Sequence, residues 1–492
     1  MTVIEEVESM AKRRGFFWPA AQIYNPVSGF WNYGPLGTKL FNSLISLWKK
    51  YWIKDEDAYE INTTNVLPEI VWIASGHTEG FNDKQTLCEK CKMRWRADHL
   101  IEEKIKNHQK LEGKSTDELT KIIRENNIIC PNCGGKLSDV FVFNLMYDIK
   151  VSPTGDIKCY LRPETTQSSV IDFQYVYKSQ RAKLPVKIAQ IGKSFRNEIS
   201  PRQCLIRLRE FWMAEFQIFF NPENTEIENY EKIKNKKINI LPAEFRKEGK
   251  EKEVEIEIDE ALRKGWIPNK LIAYYLVKVN DFFLDLGFDK KRIRFKELLD
   301  EEKAHYSKKH WDFEVYSEDF GWIECVNNAW RTDYDLSRHE KFSKQKLSVF
   351  EDNKHILPHL YEPSFGIDRI ILNLLLNNWH NDGKRCWLSL KPKLAPYIAA
   401  VFPLVKKDGL DTFARKIYEN LKKKYDVIYD ESDSIGRRYA RVDEIGVPIA
   451  ITIDYDSLKN NTVTIRDRDT TKQERIKISD IETYIEKILE KN

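Results

Sequence analysis

Long apolar runs are missing from this 492-residue chain. No stretch approaches the about 18 consecutive apolar residues that cross a bilayer. The opening MTVIEEVESMAKRRG places acids where a secretory leader needs a basic and then an apolar segment. These absences predict a soluble, cytoplasmic protein with no membrane partner. An excess of one charge is missing too. With 80 Lys and Arg against 76 Asp and Glu, the net charge is only +4, so any nucleic-acid binding must come from local patches. Cysteine is scarce at eight residues, four of them single (Cys159, Cys204, Cys325, Cys386), which excludes a disulfide framework and agrees with a reducing compartment. No internal repeat or low-complexity tract is present, which argues against a solenoid. GPLGTK near the N-terminus lacks the GxxxxGK[ST] spacing of a phosphate-binding P-loop.

What is there suffices for several cores. The 41% hydrophobic and 12% aromatic content, over a length beyond one core, predicts two to four domains. Hydrophobic periodicity predicts an amphipathic helix over 38–51, a strand near 58–61, a helix over 267–286, strands near 311–316 and 321–327, and the apolar helix DRIILNLLL. Charged helical sequence fills 97–127. The stretch 222–262 turns to Lys, Glu and Asn with little apolar periodicity and is expected to be a charged, flexible insertion. After Lys391-Pro392-Lys393, strands and helices alternate over about 100 residues, as in an α/β domain.

The stretch SFRNEISPRQCLIRLREFWMAEFQIFF joins hydrophobic strand character to several charges. Two antiparallel strands connected by a loop at 199–206 reconcile them, because Pro201 cannot donate to a ladder. Alternation then puts Gln190, Ser194, Arg196 and Glu198 on one face of the first strand. Arg207, Arg209, Phe211, Met213, Glu215 and Gln217 share a face of the second, with Trp212, Ala214, Phe216 and Ile218 turned to the core. A platform of Arg, Glu and Phe suits a nucleotide: guanidinium for phosphate, carboxylate for an exocyclic amine, ring for a base. A solvated face with cross-strand ion pairs is the alternative.

Two cysteine pairs, Cys88 with Cys91 and Cys130 with Cys133, have the knuckle spacing of a closed four-thiolate site. They predict a structural Zn2+, with a disulfide or redox role as alternatives. Their separation requires a lobe between them.

FRNE followed by RLREF resembles motif 2 of the class II aminoacyl-tRNA synthetases. The wording around it is similar to the glycyl branch of dimeric archaeal and eukaryotic type. Matching segments, in order, are RRGFFWPAAQIYNPVSGFWNYGPLG, VLPEIVWIASGH, LRPETTQ, GWIECV, YEPSFGIDRI and GRRYARVDEIGVP. The resemblance implies an α+β catalytic domain over 1–393, with an antiparallel active-site sheet flanked by helices, a zinc-binding insertion at 87–140 and the charged insertion at 222–262. It implies a C-terminal α/β anticodon-binding domain over 394–492. The implied activity is ATP-dependent formation of glycyl-adenylate, then transfer of glycine to the terminal ribose of its tRNA.

Carried over residue by residue, Arg196 would hold the α-phosphate, Glu198 the adenine amine, Arg207 the terminal phosphates, and Phe211 would stack on the base. Arg369, in a segment like motif 3, would cap the nucleotide, although Asp368 before it departs from the general glycine-rich pattern. Arg196 and Arg369 would be the catalytic pair, fixed guanidinium groups facing the charge that develops on phosphate. Glu324 would hold Mg2+, with Asn327 as a secondary contact, and Arg331 would help hold the substrate or the adenylate. Glu164 and Glu215 would take the glycine ammonium, with Ser364 near the α-carbon. A homodimer is implied through the 38–51 helix, with exposed aromatics in GFWNYGPLG. Lys422, Lys423, Lys424, Arg437, Arg438, Arg441, Arg466 and Arg468 would supply basic charge for tRNA. The alternatives are a threonine or proline enzyme of the same class, with a different polar pocket, and a non-catalytic tRNA-binding relative, which would tolerate loss of Arg196, Phe211 or Arg369.

Overall fold

The computed structural model describes residues 2–105, 111, 114–199, 201, 204–304 and 306–490. Its centre is a nine-stranded sheet. In chain order the strands are β1 (Tyr59–Glu60), β2 (Val186–Phe195), β3 (Glu210–Phe220), β4 (Lys237–Leu241), β5 (Val254–Glu257), β6 (Ile293–Glu297), β7 (Lys309–Ser317), β8 (Gly321–Thr332) and β9 (His359–Gly366). Across the sheet they run β5-β4-β6-β7-β8-β9-β3-β2-β1. Pairing is antiparallel except β1 with β2 and β4 with β6.

Period-2 alternation explains why β3 can be hydrophobic and charged at once. Ala214, Phe216 and Ile218 point to one face and are fully buried. There they meet helix α2 (Pro35–Lys49), the wider helical turn Lys50–Lys54 that follows it, and helix α4 (Lys270–Leu286). Trp52 packs on Phe216 at 5.2 Å and on Phe365 at 5.0 Å, with Tyr275 of α4 stacked beyond. Each such buried ring stabilises the fold by about 1.5–3 kcal/mol. Glu215 and Gln217 face the other way and are inaccessible as well, under helix α3 (Thr166–Ser179). Gln217 accepts from Ser169 at 3.1 Å and donates to Glu215 at 3.1 Å. The solvated-face alternative is therefore wrong: β3 is buried on both sides, one apolar and one polar.

Backbone close approach fixes one glycine. A Cβ on Gly192 would lie 2.0 Å from Nη2 of Arg162. Arg162 runs across β2, donating to the Lys193 carbonyl at 2.8 Å and to Thr63 Oγ1 at 2.7 Å.

The cysteine lobe has its own three-stranded sheet, Arg94–Arg96, Asn82–Leu87 and Phe141–Asn144 in that order. Helices Ala97–Lys104 and Thr116–Glu125 cover it, with Leu100, Ile101, Leu119 and Ile123 as core. Of the expected charged helical stretch 97–127, residues 106–110 and 112–113 lie outside the described residues. A second sheet near the C-terminus has β10 (Ala399–Pro403), β11 (Val427–Tyr429), β12 (Ile449–Ile453), β13 (Thr462–Asp467) and β14 (Gln473–Lys477), in the order β11-β10-β12-β13-β14. Among the described residues no helix is long and apolar enough to cross a membrane.

Three expectations are corrected. The stretch 222–262 is not a loose insertion: β4 and β5 extend the main sheet, and Ile238, Ile240 and Leu241 are buried. Its few apolar residues alternate over only one short strand, too short for a periodic signal. The aromatics of GFWNYGPLG are half-buried, not exposed, because Trp31 packs edge-on to Phe17 at 5.6 Å and Tyr33 bonds Asp368. The exposed apolar side chains lie just before them, at Ile23, Tyr24 and Val27. Finally, β2 ends at Phe195 and β3 begins at Glu210, so Arg196, Glu198 and Arg207 sit on the connecting loop. Of the expected loop 199–206, residues 200 and 202–203 lie outside the described residues.

Candidate active site

The loop leaves the sheet in a defined way. Arg196 N–H still donates to the Arg209 carbonyl, closing the ladder, and Glu198 N–H then turns back to the Arg196 carbonyl at 2.7 Å. Arg209 clamps the turn by donating twice to the Glu198 carbonyl, at 3.0 and 2.8 Å, and once to Ser28. Arg209 is thus a loop brace. Cross-strand register holds the polar face together, pairing Gln190 with Glu215, Gly192 with Met213 and Ser194 with Phe211.

Arg196, Glu198, Arg207, Phe211, Glu215, Glu324, Ser364, Arg369 and Glu164 all line one cavity of about 450 Å3. Phe211 and Glu215 are four residues apart on β3, so about 13 Å separates the two ends of the hollow. At the Phe211 end the Arg196 guanidinium lies 5.2 Å from the ring centroid and also donates to the Pro163 carbonyl. Arg207 stands 3.9 Å from Glu198. Arg369, in the first turn of helix α5 (Ile367–Asn378), donates to Glu324 Oε2 at 3.0 Å and to the Ile206 carbonyl. Burial works against ionisation of Glu324, yet Arg369 holds it below the usual carboxylate range. Beside it, burial and the Glu324 charge push Asp312 up. Two neighbouring carboxylates of which one resists ionisation suit a hard divalent cation, so the residues present fit Mg2+. Asn327 shares this wall and hydrogen-bonds His310 at 2.5 Å.

The Glu215 end is a buried polar network. Glu215 Oε1 accepts from Ser364 at 2.9 Å, and Oε2 accepts from Thr165 and from Thr166 at 2.5 and 3.0 Å. Glu164 accepts from Gln167 at 3.0 Å. Arg331 is 1% exposed and does not line the cavity; it lies behind the carboxylates. Its Nε and Nη2 meet Asp335 at 2.6 and 2.9 Å, Nη2 reaches Glu164 at 3.5 Å, and Nη1 stands 3.6 Å from Glu362. The Tyr306 ring covers its guanidinium at 3.8 Å. Burial opposes ionisation of Glu164, but Arg331 and His77 hold it well below the usual range. Burial and the Glu164 charge push Glu215 up, and burial pushes Glu362 well up. Among the described residues, Glu362 Oε2 is buried without a hydrogen-bond partner, with Arg331 Nη1 3.6 Å away. Carboxylates outnumber the one central guanidinium, and such a surplus is complementary to an ammonium group.

Sequence reading missed Glu362, Asp312, Asp335 and His77. Alternation from Ser364 along β9 would have placed Glu362 on the same face, since the two are two residues apart. Asp368, noted only as a departure, accepts from Tyr33 Oη at 2.5 Å and from the Trp212 N–H at 2.6 Å, and burial pushes its carboxyl up to about 6.

In the cysteine lobe the four Sγ atoms lie within 4.8 Å of one another, with Cys88 to Cys133 at 3.5 Å and Cys91 to Cys130 at 3.6 Å. A tetrahedral Zn2+ with Zn–S of about 2.3 Å sets sulfurs about 3.8 Å apart, so the set fits the metal. The Met93 N–H, the first of several donors, draws the Cys91 thiol down to about 6, while, against the Gly135 N–H, burial and the neighbouring cysteines push Cys133 up to about 11, so the four thiols shift one another as one cluster. None of the eight cysteines is disulfide-bonded.

The C-terminal arginines divide. Arg438 is buried and donates to the carbonyls of Pro403, Asp430 and Leu404. Arg466 makes a bidentate pair with Asp443 at 2.8 Å, and Arg468 donates to the Leu390 and Gly446 carbonyls. These three are interior clamps rather than exposed charge for tRNA: the helix Ile435–Glu444 turns Arg438 inward, while Arg466 near the end of β13 and Arg468 just past it are buried against Asp443 and the backbone carbonyls. Arg441 is tied to Asp430 and Asp433. Lys422, Lys423, Lys424 and Arg437 are exposed.

The antiparallel sheet and its cavity are those of a class II synthetase: residues 147–378 match the family model for the tRNA synthetase class II core domain (G, H, P, S and T), and 399–488 match that for the anticodon binding domain. The chain superposes on prolyl-tRNA synthetases of Giardia lamblia (TM-score 0.63, 15% identity, covering 100% of this chain and 80% of that one) and Cryptosporidium parvum (0.61, 14%, 100% and 76%). At those identities the likeness establishes the fold alone. The glycine–tRNA ligases of Pyrococcus furiosus (41% identical, 99% of each chain) and Methanocaldococcus jannaschii (39%, 99% of each) resemble it along nearly the whole length. The chain belongs to the glycine–tRNA ligase family. Membership of that family removes the threonine and proline alternatives, and as an aminoacyl-tRNA synthetase the chain is not the non-catalytic relative.

Proposed function

We propose that glycine lies at the Glu215 end of the cavity and ATP at the Phe211 end, and that their meeting forms glycyl-adenylate and pyrophosphate. The observation that carries this is the convergence of Arg196, Phe211 and Glu215 on one hollow with a surplus of carboxylates at one end and guanidinium groups at the other. Glu164, Glu215 and Glu362 receive the ammonium. Ser364, held against Glu215, lies beside the α-carbon and leaves little room for a methyl group. An overpacked methylene costs about 1–3 kcal/mol, which disfavours larger amino acids. Arg196 faces the α-phosphate, Arg207 the terminal phosphates, and Arg369 caps the nucleotide, while Glu198 meets the adenine amine and Phe211 its ring. No side chain bonds covalently to substrate: fixed guanidinium groups stabilise charge on the phosphate oxygens as the glycine carboxylate attacks. Glu324, with Asp312 beside it, would hold Mg2+, which when bound neutralises the phosphate chain.

The four cysteines would hold a structural Zn2+ with no open position for substrate. Ile23, Tyr24 and Val27, exposed ahead of the helix Pro35–Lys49 in the chain, support a homodimer. Lys422, Lys423, Lys424 and Arg437 are the basic residues offered to tRNA, and the setting is cytoplasmic. Amino-acid-dependent exchange of pyrophosphate into ATP, run across the standard amino acids, tests the reading. Exchange driven by glycine alone is expected; exchange driven by threonine or proline, or none, would overturn it.

A further inference from the structure

One segment touches both ends of the cavity without belonging to the motif 2, motif 3 or RPETTQ stretches. The short helix His77–Gly80 starts on the last residue of the stretch VLPEIVWIASGH and, with the Phe81 that follows, leads into the first strand of the cysteine lobe. His77 is 5% exposed and lines the cavity. Its ring is edge-on to Trp72 at 5.4 Å and lies 5.6 Å from Phe81. Nδ1 lies 2.8 Å from Ser75 Oγ, and Nε2 faces Glu164 Oε2 at 3.5 Å. Ser75 Oγ also lies 3.3 Å from the Trp72 carbonyl; with its hydroxyl turned to the nearer Nδ1, the ring's N–H is at Nε2, on the side of the carboxylate. Four residues on, Phe81 also lines the cavity, with its ring 5.3 Å from the Arg196 guanidinium. Arg196 is thus flanked by two rings, Phe211 from the sheet and Phe81 from the turn.

The turn is itself held. Asn144 Nδ2, on the last strand of the lobe sheet, donates to the His77 and Thr78 carbonyls at 3.2 Å each. Leu145 N–H donates to the Phe81 carbonyl, and the Leu145 carbonyl accepts from the Asn197 N–H between Arg196 and Glu198. The root of the lobe is therefore bonded to the loop that carries the nucleotide-facing residues.

We infer that the turn at 77–81 positions both substrate-binding ends: His77 orients Glu164 for the ammonium of glycine, and Phe81 orients Arg196 for ATP. Neither residue reacts. The inference rests on the placement of glycine at Glu164 and of ATP at Arg196, so Glu164→Gln and Arg196→Ala accompany the test.

The measurement is glycine-dependent pyrophosphate exchange by the full-length enzyme, with glycine and ATP varied separately. His77→Ala is expected to raise KM for glycine about tenfold, the size of one hydrogen bond to a charged group, with KM for ATP within twofold. His77→Gln, which keeps an N–H near Glu164, recovers most of that loss. Phe81→Ala is expected to raise KM for ATP about fivefold with KM for glycine within twofold, and Phe81→Tyr keeps near-normal values. A general loosening cannot produce this crossed pattern from two residues on one turn. If both variants move both KM values together, or leave them unchanged while Glu164→Gln and Arg196→Ala raise theirs, the inference is wrong. If Glu164→Gln leaves KM for glycine unchanged, the placement of glycine fails, and the role of His77 with it.

Discussion

Replacing Arg331 by Met tests how the glycine end of the cavity is held. Arg331 is the cation between Asp335, Glu164 and Glu362, at 2.6, 3.5 and 3.6 Å, all of them buried. Methionine fills much of the volume but removes the charge. Breaking a buried ion pair by deleting one partner costs about 3–5 kcal/mol, so at pH 7.5 the variant should be less stable by that amount. The pH dependence separates charge from packing. In the parent, Asp335 and Glu164 are held below the values of about 3.9 and 4.3 they have in the unfolded chain. Their stabilisation is therefore fully present above about pH 4.5 and fades as pH falls through the lower folded values. In the variant both are buried without a cation, their folded values rise above the unfolded ones, and stability drops as pH rises beyond about 4.5. The difference between the two proteins should widen between pH 5 and pH 8 by about 1.4 kcal/mol per unit for each carboxyl titrating. Denaturant unfolding followed by tryptophan fluorescence measures it. Adding Asp335→Asn to the variant should restore part of the loss. A deficit under about 1 kcal/mol, or one equal at pH 5 and pH 8, would refute the charge account.

Arg196→Ala should lower the rate of glycine-dependent pyrophosphate exchange by about 100-fold or more with little change in Tm, since the Arg196 side chain lines the cavity and is tied to the backbone at the Pro163 carbonyl; calorimetry and exchange kinetics together check it. Cys88→Ser should remove one bound zinc per chain, measured by elemental analysis, and speed amide exchange across the three strands of the cysteine lobe while β7 to β9 stay protected. Arg438→Ala frees the carbonyls of Pro403, Asp430 and Leu404 in the interior and should destabilise the protein by roughly 3 kcal/mol. Lys422→Glu with Lys423→Glu should instead leave Tm unchanged, weaken tRNA retention and flatten its salt dependence. Asp368, raised to about 6, favours the folded state less as pH climbs from 4 through 6; Asp368→Asn should abolish that decline, worth about 2 kcal/mol between pH 4.5 and pH 7, in urea unfolding at those two pH values.

Several parts of this protein were legible in one dimension because their physics is local. Strand alternation depends only on the backbone, so Phe211, Met213, Glu215 and Gln217 could be assigned to one face before any partner was known. The cysteine knuckles are legible for the same reason, since two residues between thiols fit one turn around a metal. Arg196, Glu198 and Arg207 were found by resemblance, but strand periodicity placed them wrongly on strands, because the point where a ladder ends depends on outside groups such as the Gly29 carbonyl that takes the Arg209 N–H. Local sequence does not carry that information.

Burial was the other quantity that alternation could not supply. Lys422 and Arg438 look alike as basic residues of a helical stretch, yet one is solvated and the other threads among three carbonyls, because only the packed sheet decides which side of a helix is inside. The chain alone determined which chemical groups exist, their alternation along β3 and the four thiols that can close on a metal. The tertiary structure decided that Glu164, Glu215 and Glu362, far apart in the chain, face one hollow with a single guanidinium behind them, since the electrostatic energy of a charge depends on its neighbours in space and on the water it has lost.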